Sequence, residues 1–594
     1  MIIDALNKYY EILLSSEDSG VSRPGYSKAK VAYAIVLSKN GELLRVVDLR
    51  NEKGKPKDID VPEQVIRTGT GVKANFMCDN CTYILGVEQR NKNEDKERIR
   101  NKFKALLNLH EEILGLTCDE GAIAVLEFLK KWNIDNAYNH PQVAAQIEGL
   151  AEGGNLVFRL DGSEGYIHER SGVITHWNDY SSKQESGVVG QCSISGEETS
   201  IARLHPSIKG VTGAQPSGAS LVSFNLDAFT SYGKTQSYNA PIGENVAFAY
   251  TTTLNYLLRS EKHRMRIADT TTVFWAERLS SGMEENLLSA LFFPVNEDNK
   301  KDDAEQNQVK RDPQTVKLIK DIFSRIKAGK RVSEALSGID PNVNFYILGL
   351  APNASRLSVR FWHVDKYGRF LDKVSQHYSD LAIEKSFPNE PDFISISHIL
   401  KETAPLGDSK RIPPLLGGVL MRAILTGMPY PQVLYNSIIS RIRADRNVNY
   451  VRASVIKACL ARNQRFYNKG KGVNITMALD EQSTNAAYRL GRLFALLEKA
   501  QQDANPGLNA TIKDRYFGAA SATPGSVFPI LLRLAQHHIA KSEYGRNVDK
   551  RIEEVVSEIS VFPSHLNLEE QGLFVLGYYH QRQAIFKKNE SKEV

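Results

Sequence analysis

The feature that most constrains this chain is a change of hydrophobic period near residue 398. Upstream, short apolar runs bounded by turn residues alternate with helix-spaced segments. Downstream, helix-like three- and four-residue spacing of apolar residues dominates the rest of the 594-residue sequence. Such a stretch buries its apolar stripes by packing helix on helix, whereas the upstream mixture needs a sheet covered by helices. The sequence therefore predicts an α+β protein, with an N-terminal mixed domain over 1–395, a helical segment over 396–476, and a four-helix bundle over 477–594. At 100–200 residues per domain, about three or four folded units fit this length.

Within the mixed part, 30–37 and 42–47 flank Ser38-Lys39-Asn40-Gly41. Asn-Gly between two apolar runs predicts a hairpin with both central residues at positive φ. Helices are predicted over about 91–116 and 121–132, and a second hairpin from 156–160 to 172–177. A helix is predicted to begin at Glu244, and paired strands over 345–350 and 357–364. Residues 296–313 are charged, nearly free of apolar side chains, and read as a solvated loop. The bundle helices are predicted at about 483–502, 526–541, 547–560 and 567–586. Ser526 fits an N-cap with Pro529 in the first turn, and Asn567 with Glu570 resembles a capping box.

Nothing approaches 18 consecutive apolar residues, so no membrane-spanning helix is expected. The first residues carry a helical apolar face (Ile2, Leu6, Tyr9, Leu13) broken by Asp4 and Glu11, unlike a secretory signal. Five scattered cysteines argue against a disulfide framework, and a cytoplasmic protein is expected. Cys78 and Cys81 form a lone C-x-x-C with no second pair at zinc-finger spacing. They read better as small residues beside a turn.

The net charge of +6 is unevenly spread. Residues 401–476 hold thirteen Lys or Arg against three Asp or Glu, residues 477–594 hold fourteen of each, and the first 400 are mildly acidic. The excess centres on Arg441, Arg443, Arg446, Arg452, Lys457, Arg462 and Arg465, with Tyr430, Tyr450, Phe466 and Tyr467 among them. Cations neutralise phosphates and aromatic faces stack on unpaired bases, so this segment points to a polyanionic partner. A solvated helix face is the competing reading.

Signals for catalysis are weak. Gly69-Thr70-Gly71-Val72-Lys73-Ala74 satisfies G-x-G-x-x-G/A, but the adjoining Asn75-Phe76-Met77-Cys78 run is not a helix start, so a dinucleotide fold is not expected. A Gly/Thr loop bearing Lys73 and Asn75 suits nucleic acid equally well. Asp227, Asp269 and Glu277 are single acids in sequence, and His537-His538 sits where neighbours point apart, so no metal cluster is predicted. Binding is the better-supported reading, with no enzyme activity and no cofactor.

Several longer blocks carry a resemblance. GYSKAKVAYAIVL (25–37), VKANFMCDN (72–80), GAQPSGASLVSFN (213–225), SYGKTQSYNAP (231–241), GRLFALLEKAQ (491–501) and ATIKDRYFGAASATPGSVFP (510–529) together resemble the large subunit of the type I-C CRISPR surveillance complex, Cascade. The resemblance runs from the first helix to the last. It implies a non-enzymatic subunit near the 5′ end of a guide RNA, beside the backbone and 5′-handle-binding subunits. That subunit recognises the protospacer-adjacent motif (PAM) on double-stranded target DNA, helps open the duplex, stabilises the R-loop and recruits a helicase–nuclease. In such effectors base pairing reads sequence and protein reads a short motif and backbone.

On that basis the mixed domain is expected to carry motif recognition through small, polar, Gly-containing loops. The candidates are Arg67, Thr68, Thr70, Lys73 and Asn75; Gln215 (a possible wedge) and Ser217; and a weaker set, Lys234, Gln236 and Asn239. The 441–465 cations are expected on the displaced strand or heteroduplex. The last helices resemble the family's small subunit, which in this subtype is thought to arise by internal translation; Met477 is the candidate start. A guide-RNA-processing endonuclease, which needs a general-base His or Lys in a basic cleft, and a purely architectural RNA-binding subunit are the alternatives.

Overall fold

The computed structural model describes the chain apart from residues 17–18, 66, 68–70, 91–93, 185–186, 279–282, 293–312, 329, 331–338, 468–473, 544 and 591–594. The loop expected at 296–313 falls almost wholly outside the described residues, as does the Lys469–Gly472 break. The fold is mixed α/β toward the N-terminus and helical toward the C-terminus, as the period change predicts. It divides into two compact units, Met1–Pro206 with Val222–Leu254, and Ser207–Leu221 with Asn255–Val594.

The first unit is organised by one long strand, β1 (Tyr26–Leu37). Its VAYAIVL core is apolar on both faces, and Val31 through Leu37 are all buried, which suits a strand covered on both sides. One edge of β1 pairs antiparallel first with β3 (Lys57–Pro62) and then with β2 (Leu43–Asp48). Its other edge pairs parallel with β5 (Asn155–Leu160), which pairs antiparallel with β4 (Cys78–Asn80). A parallel neighbour needs a long crossover, and the helices Lys96–Leu114 and Glu120–Lys131 lie in it. At the β1–β2 turn only Gly41 has positive φ (80°), because the Gly41 N–H donates to the Ser38 carbonyl at 3.0 Å and register shifts after Val36. The turn is a bulged one and not the predicted double-positive type.

The second predicted hairpin is corrected. Residues Ser171–Gln184 form a helix, since Val173, Trp177 and Tyr180 fall on one helical face. Trp177 stacks on Phe76 with ring centres 5.2 Å apart and donates Nε1–H to the Gly25 carbonyl at 2.7 Å. Cys78 and Cys81 are both buried; burial pushes the Cys81 thiol up to about 11, and its Sγ donates to the Leu150 carbonyl at 3.1 Å. Among the described residues no group of three His, Cys, Asp or Glu is placed to hold a metal ion. A small ribbon, β6 (Val189–Gln191) with β7 (Glu198–Ser200), and the helix Glu244–Arg259, which runs into the second unit, complete this part of the chain.

The second unit begins with an antiparallel sheet, ordered β11 (Arg356–Lys366), β10 (Asn344–Asn353), β9 (Thr270–Ala276), β8 (Arg264–Ile267). The helices Leu416–Thr426, Gln432–Asp445 and Tyr450–Tyr467 then build a core continuous with the C-terminal helices. Those are Ala486–Ala504, Ile512–Ala522, Pro524–Lys541, Gly545–Val556 and Leu568–Glu590. Ile512–Ala522 is an additional helix between the first two predicted. The Asn567–Glu570 capping box forms, with reciprocal bonds of 2.7 and 2.9 Å. Ser526 is not an N-cap: the helix starts at Pro524 after Thr523, because Pro524 suits the first helical position, and Pro529 lies inside. No helix among the described residues is long and apolar enough to cross a membrane.

Candidate nucleic-acid interface

The 67–75 loop is closed at its base by one buried carboxylate. Asp79 accepts from the Asn75 N–H at 2.8 Å, pairs with the Arg67 guanidinium, and accepts from the Asn80 N–H at 2.8 Å. Arg67 also donates to the Lys73 carbonyl at 2.7 Å and lies 4.0 Å from the Tyr83 ring centre. Asn75 is buried, accepting from the Val65 N–H and donating to Gln64. Arg67 and Asn75, expected as contacts to DNA, are therefore clamps that shape the loop. Thr68 and Thr70 lie outside the described residues. Lys73 is exposed and lines a cavity of about 1370 Å³ together with Arg23, Gln64, Trp177 and Asn245. Burial at the cavity wall raises the Glu63 carboxyl above its ordinary range.

The other two loops fall in different units. In the second unit, Ile208 and Ala219 pair as a short ladder and Thr212 N–H donates to Thr271 at 3.0 Å. The turn Gln215–Gly218, closed by a 2.9 Å bond from the Gly218 N–H to the Gln215 carbonyl, presents Gln215 and Ser217 to solvent. In the first unit, Asn239 ties the 231–239 loop: it accepts from the Ser231 N–H at 2.9 Å and donates to the Lys234 and Gln236 carbonyls. Gln236 accepts from Arg203 at 2.6 Å. Gln236 and Asn239 are thus internal to their loop, and Lys234 is the exposed member of the predicted set. The residue missed from sequence is Tyr232, at the turn's tip with φ of 50° and its side chain in solvent. A tyrosine in the left-handed region costs about 1–2 kcal/mol relative to a right-handed one. Only the Tyr-Gly pair within a polar stretch hinted at this.

The basic segment is reassigned in part. The helix Tyr450–Tyr467 is buried nearly all round, so three of its cations are interior. Arg452 bridges Glu402 and Asp445, each at 2.6 Å. Arg462 donates to Asp380 at 2.8 Å, and Lys457 to the Asp380 carbonyl at 3.0 Å. Burial lowers Lys457 to about 8. These three cannot line a surface for a strand, because their charges are committed inside the unit; Asp380 lies upstream of the window in which acids looked scarce. Arg441 pairs with Asp445 on its own helix. Arg443, which donates to Gln571 at 2.6 Å, Arg446 and the half-exposed Arg465 reach solvent.

The acids weighed for metal chemistry do not converge. Asp269 pairs with Arg360 at 3.3 Å, Glu277 accepts from Asn344, and Asp227 is exposed. His537 and His538 sit on the Pro524–Lys541 helix. Met477 is exposed, and its carbonyl accepts from the Glu384 N–H at 2.9 Å.

The projecting side chains are thus a lysine beside a cavity, a Gln/Ser turn, a Tyr/Lys turn and a reduced set of arginines. No curated relative matches the sequence. A family model described as CRISPR-associated protein (Cas_Csd1) matches residues 6–586, spanning both units and the three candidate loops. With nearly the whole chain covered, the protein belongs to the Cas_Csd1 family of CRISPR-associated proteins.

Proposed function

We propose that this chain is the non-catalytic large subunit of a type I-C Cascade, acting in the cytoplasm in antiviral defence. In this reading it recognises the PAM on double-stranded DNA, promotes duplex opening, stabilises the R-loop and recruits the helicase–nuclease. Its partners are the guide RNA, the backbone and 5′-handle-binding subunits, and a small subunit that resembles its own C-terminal helices and starts at Met477.

The observation that carries the reading is family membership over 6–586 combined with the exposed tips. Gln215 and Lys234 each project from a turn closed by its own hydrogen bonds, and Lys73 is exposed beside the Arg67–Asp79 clamp. Preformed loops lose little freedom on meeting a groove, and lysine, glutamine and serine are groove- and phosphate-seeking side chains. The test is motif-dependent duplex binding by the assembled complex carrying Lys73→Ala with Gln215→Ala. The expected result is intact assembly with affinity weaker by at least about 5-fold, the lower end for losing even one good groove contact. Unchanged affinity overturns the placement of motif recognition on these loops.

A further inference from the structure

We propose that the turn Ser231–Lys234 is a stacking tip for unpaired nucleic-acid bases, with Tyr232 as the stacked ring. Tyr232 is 99% exposed, so both faces of its ring are open. Its turn is closed by the Lys234 N–H on the Ser231 carbonyl at 2.9 Å, with Tyr232 and Gly233 both at positive φ. Asparagine, aspartate and glycine make that turn at lower cost, and the Tyr232 side chain is not buried in any core, so folding does not account for a tyrosine there. The loop is also held in place. Asn239 binds it at three points, and the Arg203–Gln236 bond and the buried Ser237 anchor its far side.

The chemistry of the tip selects its occupant. An aromatic ring with two open faces on a narrow, rigid turn is matched by planar groups that can receive it, and every base has such a face. Lys234, exposed two residues on, supplies a cation for the adjoining phosphate, and Asp227 is the one acid in the 225–235 stretch. Binding at this tip is sequence-tolerant, unlike motif reading. The inference deepens the proposed function and rests on it to this extent: a strand must be unpaired near the first unit during target engagement.

The test uses the full-length chain and a fluorescein-labelled oligothymidylate. Tyr232→Ala is expected to weaken binding about 5- to 150-fold, the range for losing one stacked base. Tyr232→Asn, which suits the left-handed backbone, should lose as much, separating the ring from relief of strain. Tyr232→Phe and Tyr232→Trp should retain affinity, and photocrosslinking to a 5-iodouracil strand should place the adduct on Tyr232. Lys234→Ala should make the log-affinity against log-salt slope shallower by about 0.7. The proposal is overturned if wild-type chain does not bind the oligonucleotide, if Tyr232→Ala binds like wild type, or if Tyr232→Phe falls as far as Tyr232→Ala. Loss of subunit co-purification with unchanged oligonucleotide affinity also overturns it, in favour of a protein contact. Loss of single-strand binding in Tyr232→Ala, with motif-dependent binding unaffected by the Lys73 and Gln215 substitutions, supports the stacking tip and rejects the motif placement.

Discussion

Arg462 and Arg443 belong to the same basic segment, and the structure predicts opposite consequences for losing them. Arg462 is 2% exposed; Nε donates to Asp380 at 2.8 Å, Nη1 to the carbonyls of Ala423 and Met428 at 3.1 and 2.9 Å, and the guanidinium lies 4.2 Å from the Tyr430 ring centre. Arg462→Met strands both carbonyls and leaves Asp380 to Arg465. Removing one member of a buried pair costs about 3–5 kcal/mol, and the remaining Arg465 places this change near 3 kcal/mol. Asp380→Asn is worse, near 5 kcal/mol, because Arg462, Arg465 and Lys457 would then crowd one site without a carboxylate. At about 2 °C per kcal/mol for a large cooperative unit, the unfolding midpoint should fall by about 6 and 10 °C respectively. Arg443→Ala with Arg446→Ala should lower it by only about 2 °C, for the lost Arg443–Gln571 bond of about 1 kcal/mol, and should instead flatten the salt dependence of nucleic-acid binding by about 1.4 for a single strand or 1.8 for a duplex. Scanning fluorimetry and fluorescence-anisotropy titrations at several salt concentrations separate the two classes. Flattening by Arg462→Met as large as that of the surface pair, with an unmoved midpoint, would refute the assignment of Arg462 to the interior.

Packing and titration give two further expected outcomes. A Cβ at Gly491 would sit 2.0 Å from the Phe574 carbonyl oxygen and 2.7 Å from the Tyr578 nitrogen, so Gly491→Ala must push the Ala486–Ala504 and Leu568–Glu590 helices apart. Overpacking against backbone should cost about 3 kcal/mol, whereas Gly518→Ala, with nothing within 4 Å, should stabilise its helix by up to about 1 kcal/mol in chemical denaturation. His110 donates Nδ1–H to the Leu106 carbonyl at 2.8 Å and accepts the Met77 N–H on Nε2 at 3.1 Å, and burial pushes it down to about 4. Since the unfolded chain binds the proton near 6.5, its contribution is complete above that pH and lost as pH falls toward 4. Between pH 7 and 5 the expected loss is about 2 kcal/mol in all, the slope approaching about 1.4 kcal/mol per pH unit only below about pH 6, and His110→Gln should remove it from stabilities measured by urea denaturation.

Sequence was most informative where a local pattern decides the structure. The apolar run of β1, the β10–β11 pair and the Asn567–Glu570 cap depend on residues close together in the chain. The 171–184 helix is not legible as one because a short apolar cluster serves strand and helix alike, and its Trp177 contact with Gly25 lies 152 residues away. The interface residues escape for the same reason. Counting charges from 401 to 476 could not reveal that Asp380 sits inside the ring of arginines, nor that Asp79 turns Arg67 and Asn75 into clamps. Long-range partners decide whether a polar side chain faces outward, and composition carries no record of them.

The alternation of the two units along the chain has a consequence for synthesis. Residues 207–221 belong to the second unit, yet they leave the ribosome before 222–254, which complete the first. That early segment waits for Thr271 and for the Ser355–Leu357 turn, to which its backbone bonds, before it has a partner. The first unit must therefore mature while a tethered piece of its neighbour is still unplaced. No single cut in the chain separates the two units cleanly, and a nascent chain stalled between residues 254 and 350 would carry an unpaired segment exposed to chaperones and proteases.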